Sequence, residues 1–143
     1  MKTSKKGIDL IKKFEGCKLK AYLCPSNVWT IGYGNTYYEN LVKVKAGDVI
    51  TQARADELLL SLLPKYEAIV KKYAKVELTQ NQFDALVSFC WNCGYSETLF
   101  RLVNLKSIEI GRWWQSHYIT GGGIILQGLV KRRLEESKLF LSL

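Results

Sequence analysis

Glu15, Cys24 and Thr30 are the residues of this chain whose types and spacing promise chemistry. The glutamate stands in Phe14-Glu15-Gly16, the cysteine follows before Pro25, and the threonine lies in Val28-Trp29-Thr30-Ile31-Gly32-Tyr33-Gly34. A carboxyl can deliver a proton, a thiol or thiolate can attack or accept a hydrogen bond, and a hydroxyl can orient water. Alternating apolar and small residues from Val28 to Gly34 predict a strand beside a tight turn. Such a hairpin brings Cys24 and Thr30 opposite Glu15, so that three reactive groups share one cleft.

The elements that must position them follow from periodicity. Ile8, Ile11 and Phe14, with Leu10 beside them, recur at helical spacing after the capping candidates Thr3 and Ser4, and Gly16 is a suitable stop. The helix therefore ends at Glu15, whose carboxyl lies at the negative end of the helix dipole, a setting that suits a proton donor. Lys18 to Leu23 alternates, Cys24-Pro25-Ser26-Asn27 has turn composition, and the second strand is expected to run to about Gly34. From Thr51 the pattern is helical, with Pro64 expected to kink or divide it. Thr79 predicts the N-cap of a helix burying Phe83, Leu86, Val87 and Cys90. Later helices are expected at about 99–103, 108–116 and 130–141, and Gly121-Gly122-Gly123 as a flexible loop. The fold class is α+β and mainly helical: a small β-hairpin lobe (about 1–50, with the first helix) and a helical lobe (about 51–143) around a cleft, in one domain.

Composition narrows the partners. The chain of 143 residues, 48% hydrophobic, suffices for one domain without staples. With 21 Lys and Arg against 13 Asp and Glu, its net charge of +8 favours polyanions: nucleic acid, anionic lipid or a bacterial wall. The basic residues are scattered singly or in short groups such as Lys131-Arg132-Arg133, with no clustered stripe or recognisable helix motif, so nucleic acid is not expected as a partner. No window approaches the roughly 20 apolar residues of a membrane span, and no export signal is visible. Synthesis in a cytoplasm as a monomer, with four free thiols, is expected. Cys90-Trp91-Asn92-Cys93 has redox or zinc spacing but falls in a helical pattern without a second pair, and His117 is the sole histidine. No metal and no cofactor are assigned.

The segment from Gly7 to Gly34 resembles the catalytic region of the phage-type lysozymes, the endolysins that open bacterial cell walls. The resemblance extends through Ile50-Thr51-Gln52, Leu78 to Phe89, and Gly128-Leu129-Val130-Lys131-Arg132-Arg133, and so covers nearly the whole chain. It implies a lysozyme-like two-lobed fold and hydrolysis of the β-1,4 bond between N-acetylmuramic acid and N-acetylglucosamine in peptidoglycan, leading to lysis of the host cell. A separate pore-forming protein would then give access to the wall. Glu15 is implied as the acid. Cys24 takes the place of a common aspartate, and Thr30 keeps its own.

A free thiol has a pKa of about 8.5, which leaves Cys24 open to act as thiolate, as weak acceptor, or scarcely at all. By the same resemblance Trp91 and Asn92 would stack on and hydrogen-bond a sugar, and Tyr33, Asn35 and Thr36 would line the groove. Histidine is frequent in the family where Asn35 stands. Tyr118 replaces a usual tryptophan, and the loop from Tyr95 to Thr98 is shorter than the family pattern. Arg132 or Arg133 is implied to hold Glu15 in place. The competing function is an attenuated relative that grips the wall without strong hydrolysis, but such a module has no need of Glu15 and Thr30.

Overall fold

Helix α1 (Lys5–Glu15) starts where two acidic side chains, distant in sequence, take up the leading polar groups of the chain. Thr3 donates to Glu67 Oε2 through both its backbone N–H and its hydroxyl, each at 2.7 Å. The Ser4 backbone N–H donates to Asp84 Oδ1 at 3.0 Å, and its hydroxyl donates to the other carboxylate oxygen. Thr3 and Ser4 thus pass their hydroxyls to carboxylates, which place negative charge at the positive end of the helix. Gly7 permits this approach, because a Cβ there would lie 2.8 Å from both Cβ and Cγ of Asp84.

The computed structural model describes residues 1–143, which form two compact units, one of residues 12–64 and one of residues 1–11 with 65–143. In the first, α1 ends at Gly16, whose left-handed φ of 67° turns the chain into β1 (Lys18–Leu23). Antiparallel β2 (Trp29–Gly32) pairs Thr30 with Tyr22 and Trp29 with Leu23, with an irregularity before the Lys18–Gly32 pair. The opposite edge of β1 takes Val49 as a bridge partner of Lys20. β2 stops at Gly32, two residues before the expected end. Gly32 and Gly34 adopt φ values of 66° and 96°, and Ile31 and Asn35 close the intervening turn with two reciprocal backbone hydrogen bonds of 2.9 Å. A further bridge joins Tyr37 to Lys43.

Ala21, Ile31, Val44 and Leu58 form the core of this unit, with Trp29, Tyr38 and Ile50 against it. Arg54 forks onto both oxygens of Glu39 at 2.5 and 2.6 Å. Helix α2 (Gln52–Tyr73) continues unbroken through Pro64, which was expected to kink or divide it. Proline removes the donor for the carbonyl four residues earlier. That carbonyl belongs to Leu60, an exposed residue.

The second unit is helical. α3 (Gln80–Cys93) opens at Thr79, the N-cap that the sequence predicts, which forms a full capping box with Gln82. α4 (Glu97–Asn104) and α5 (Ile110–Ser116) follow, and α6 (Gln127–Leu141) packs on α3 and α5. Phe83, Leu86, Phe89, Leu99, Phe100, Trp114 and Phe140 fill the core. The three glycines, expected as a flexible loop, instead build a hairpin of β3 (Thr120–Gly121) and β4 (Ile124–Ile125). Gly122 and Gly123 turn it with φ values of 58° and 80°, the left-handed pair that a two-residue hairpin demands.

The glycines predict opposite outcomes. Gly7→Ala should lower stability by about 1–3 kcal/mol, because its new methyl meets Asp84 in a packed interior. Gly128→Ala, in open space near the start of α6, should raise it by about 0.4–1 kcal/mol. Thermal unfolding followed by circular dichroism checks both; equal melting temperatures for the two variants would contradict the packing argument.

Candidate active site

Glu15 is the last residue of α1, with Gly16 immediately beyond it. The Gly32–Tyr33–Gly34 turn brings backbone beside this carboxylate: an ideal Cβ at Gly34 would stand 3.7 Å from Glu15 Oε1. There is room for that atom, but the φ of 96° disfavours any side chain. Sequence reasoning singled out Tyr33 in this turn and missed Gly34, although Gly-x-Gly at the end of a predicted strand was a signal for a close backbone approach.

Cys24 and Thr30 come together at the mouth of the β1–β2 hairpin. The turn is closed by Cys24 N–H to Val28 O at 3.0 Å and Asn27 N–H to Cys24 O at 2.9 Å, with Asn27 at a φ of 60°. This is the geometry of a type I turn followed by a left-handed residue. Its consequence is electrostatic. The backbone N–H groups of Val28 and Ser26 face the Cys24 sulfur and lower its pKa; burial opposes them, and the Thr30 hydroxyl adds to their effect. Thr30 is buried, and its single hydroxyl proton goes to Val28 O at 2.9 Å. Since one proton cannot serve the carbonyl and the sulfur at once, we give the sulfur's stabilisation chiefly to the backbone.

Tyr33 is buried, with its hydroxyl between Gln52 Nε2 at 3.0 Å and Asp56 Oδ1 at 3.3 Å. Asp56 also pairs with Lys12 at 3.1 Å. The tyrosine therefore braces the glycine turn and turns little of its ring to solvent. Asn35 is likewise buried, with Oδ1 lacking a hydrogen-bond partner, while Thr36 is half-buried and accepts a backbone bond from Val44.

In the helical unit, Trp91 is half-buried and tilts against Tyr66 with ring centroids 5.0 Å apart. Asn92 is exposed, and its Oδ1 accepts a 2.7 Å bond from Arg133 Nη2. Tyr118, at a φ of 58°, stands edge-on to Phe89 and is exposed. Arg132 and Arg133 are both buried and converge on Glu136, with N–O distances of 3.2 and 3.0 Å. Glu136 also accepts from Ser88 at 2.6 Å and Trp114 at 3.1 Å. The sequence reading overlooked Glu136, though its spacing of three and four residues from the arginines on one helix could have found it. Cys90 is wholly buried, and burial pushes its thiol up to about 12. No group of three or more His, Cys, Asp or Glu side chains assembles to hold a metal ion.

A carboxyl side chain at a helix end, in the same compact unit as a hairpin that carries a thiol and a hydroxyl, fits a lysozyme-like glycoside hydrolase. The comparisons agree. The family model described as Phage lysozyme matches residues 12–136, and the chain belongs to that family. An endolysin of Acyrthosiphon pisum secondary endosymbiont phage 1 is 39% identical over 151 residues, covering 99% of each chain. The solved endolysin from Escherichia coli O157:H7 phage FAHEc1 superposes with a TM-score of 0.91 at 36% identity, over 99% of this chain and 94% of that one. The muramidase domain of SpmX from Asticaccaulis excentricus gives a TM-score of 0.86 at 34% identity over 99% of each.

The thiol environments can be read chemically. Alkylation follows the thiolate, so Cys24, with its pKa lowered, should react with iodoacetamide ahead of Cys93 and Cys90, whose thiols are raised by burial. The Cys24 rate should reach its half-maximum at a lower pH in the folded protein than in the unfolded chain. Peptide mass spectrometry of timed samples measures the order, and unfolding in guanidinium should erase it. Equal rates in the folded protein would refute the backbone effect.

Proposed function

We propose that the chain cuts the β-1,4 bond between N-acetylmuramic acid and N-acetylglucosamine in bacterial peptidoglycan, as an endolysin, with Glu15 as general acid. The observation that carries this reading is the placement of Glu15 at the end of α1 against the Gly34 backbone, in the same compact unit as the Cys24–Thr30 pair. Cleavage needs a proton on the departing glycosidic oxygen and, for the oxocarbenium-like state, a second group that stabilises it or directs water. Glu15 supplies the proton. Cys24, biased toward thiolate by the turn, supplies the negative charge that a carboxylate carries in many relatives, and Thr30 aligns a water through its hydroxyl lone pairs.

The net charge of +8 draws the enzyme to an anionic wall over roughly a Debye length, about 10 Å at 0.1 M salt. No helix is long and apolar enough to cross a membrane. Access to the wall through a pore made by another protein, synthesis in the host cytoplasm and a monomeric state belong to the same proposal. Trp91, Asn92 and Tyr118 serve as sugar contacts in it, Thr36 lines the groove, and Tyr33 and Asn35 support the turn beside Glu15.

Reducing-sugar release from purified walls tests the assignment. Glu15→Gln should keep the fold and cut kcat by about 10²–10⁴-fold, the range for a general acid; near wild-type cleavage by the folded variant would exclude Glu15. Cys24→Asp should retain activity, whereas Cys24→Ala should lose about tenfold or more. Because thiolate grows as pH rises through a lowered pKa, wild type should show an alkaline-rising limb that Cys24→Asp lacks. Similar rates for the alanine and aspartate variants would make Cys24 a packing residue. Wall binding, followed by co-sedimentation, should weaken between low and high salt; constant binding would make the charge incidental.

A further inference from the structure

The carboxamide of Asn92 has only one chemically sensible orientation. Its inner neighbour is Arg133, fully buried, whose Nη2 lies 2.7 Å from Asn92 Oδ1. A guanidinium has donors and no acceptor, so the amide oxygen must face it and the NH2 group must face away. A second donor supports this placement, for the Cys93 thiol reaches the same Oδ1 at 3.5 Å. Burial raises the Cys93 pKa, which keeps that thiol protonated and able to donate. The guanidinium is itself held: Nη1 contacts the Cys93 sulfur, Nε lies 3.0 Å from Glu136 Oε1, and its plane sits 5.1 Å from the Phe89 ring centroid. Asn92 is nevertheless exposed, at the last turn of α3 beside the half-buried ring of Trp91.

We propose that Arg133 is a positioning residue that locks Asn92 as a hydrogen-bond donor toward substrate, and that the group recognised is the acetamido carbonyl of an N-acetylated sugar resting on Trp91. This rests on the reading of the chain as a peptidoglycan glycosidase. A free asparagine would rotate and accept a hydroxyl or an amine as readily as it donates to a carbonyl. With its oxygen saturated from within, it can only donate, so an acetamido oxygen is accepted and a protonated sugar amine meets the wrong partner. Specificity for acetylated glycan is thereby set by a buried cation that never touches the sugar.

Asn92→Asp tests this without disturbing the interior, because a carboxylate of the same shape satisfies Arg133 at least as well while presenting no donor. On acetylated walls the variant should show KM raised by about three- to tenfold, the cost of one hydrogen bond, with kcat within about twofold. On walls freed of their N-acetyl groups the order should reverse, with the KM of Asn92→Asp below that of wild type, because a carboxylate accepts from a protonated amine. In wild type the Asn92 side-chain 15N amide resonances should shift on addition of N,N′,N″,N‴-tetraacetylchitotetraose, and Arg133→Lys, if folded, should blunt that shift by releasing the amide. Equal KM for wild type and Asn92→Asp on acetylated walls, or amide resonances unmoved by the tetrasaccharide, would overturn the proposal. If wild type released no reducing ends at all, the glycosidase reading would fall instead, and the amide shift alone would still decide whether Asn92 binds an acetylated sugar.

Discussion

One carboxylate organises the helical unit. Glu136 on α6, fully buried, is shared by two arginines of its own helix, by a hydroxyl of α3 and by the indole of α5. Charges withdrawn from water are tolerable only when paired and hydrogen-bonded, and breaking such a pair costs about 3–5 kcal/mol. The geometry meets that requirement from several sides. Arg132 also reaches the Ser88 carbonyl at 3.1 Å, and Arg133 reaches Asn92 and the face of Phe89. The packing of α3, α5 and α6 is therefore specified by polar directionality as well as by apolar fit. It is the directional component that reaches the surface, through Asn92.

The β unit solves a different problem with backbone rather than side chains. Short strands of four and six residues cannot stabilise themselves, and here they lean on Leu58 of α2 through Ala21, Ile31 and Val44. What they carry is a set of turns. Gly16 stops the helix behind Glu15, Gly32 and Gly34 bend the chain beside it, and Asn27 closes the loop that holds Cys24. Glu15, Cys24 and their neighbours are thus positioned by residues that adopt left-handed φ.

The parts legible in the sequence were those with local causes. The end of α1 at Glu15, the N-cap at Thr79 and the turn at Cys24-Pro25-Ser26-Asn27 follow from residue types a few positions apart. Pro64 does not divide α2, because a long helix can give up one backbone bond, here at the exposed residue Leu60. The glycine triplet misled because composition reports freedom, whereas pairing of Thr120 with Ile125 turns that freedom into a fixed hairpin. At the site, Cys24 and Thr30 were singled out by the family resemblance, and the hairpin brings the two side chains together. The contacts of Glu136, and those of Glu67 and Asp84 with Thr3 and Ser4, join residues tens of positions apart and leave no periodic trace.

The hairpin around Cys24 separates chemistry from appearance. Its sulfur is tuned mainly by the N–H groups of Ser26 and Val28, which every residue except proline provides. The side chains of Ser26 and Val28 are exposed and take no part in that tuning. The outer face of the turn can therefore vary in its side chains while the thiol keeps its character. A lineage could explore new surfaces there without disturbing the sulfur, provided that it keeps an amide hydrogen at those two positions.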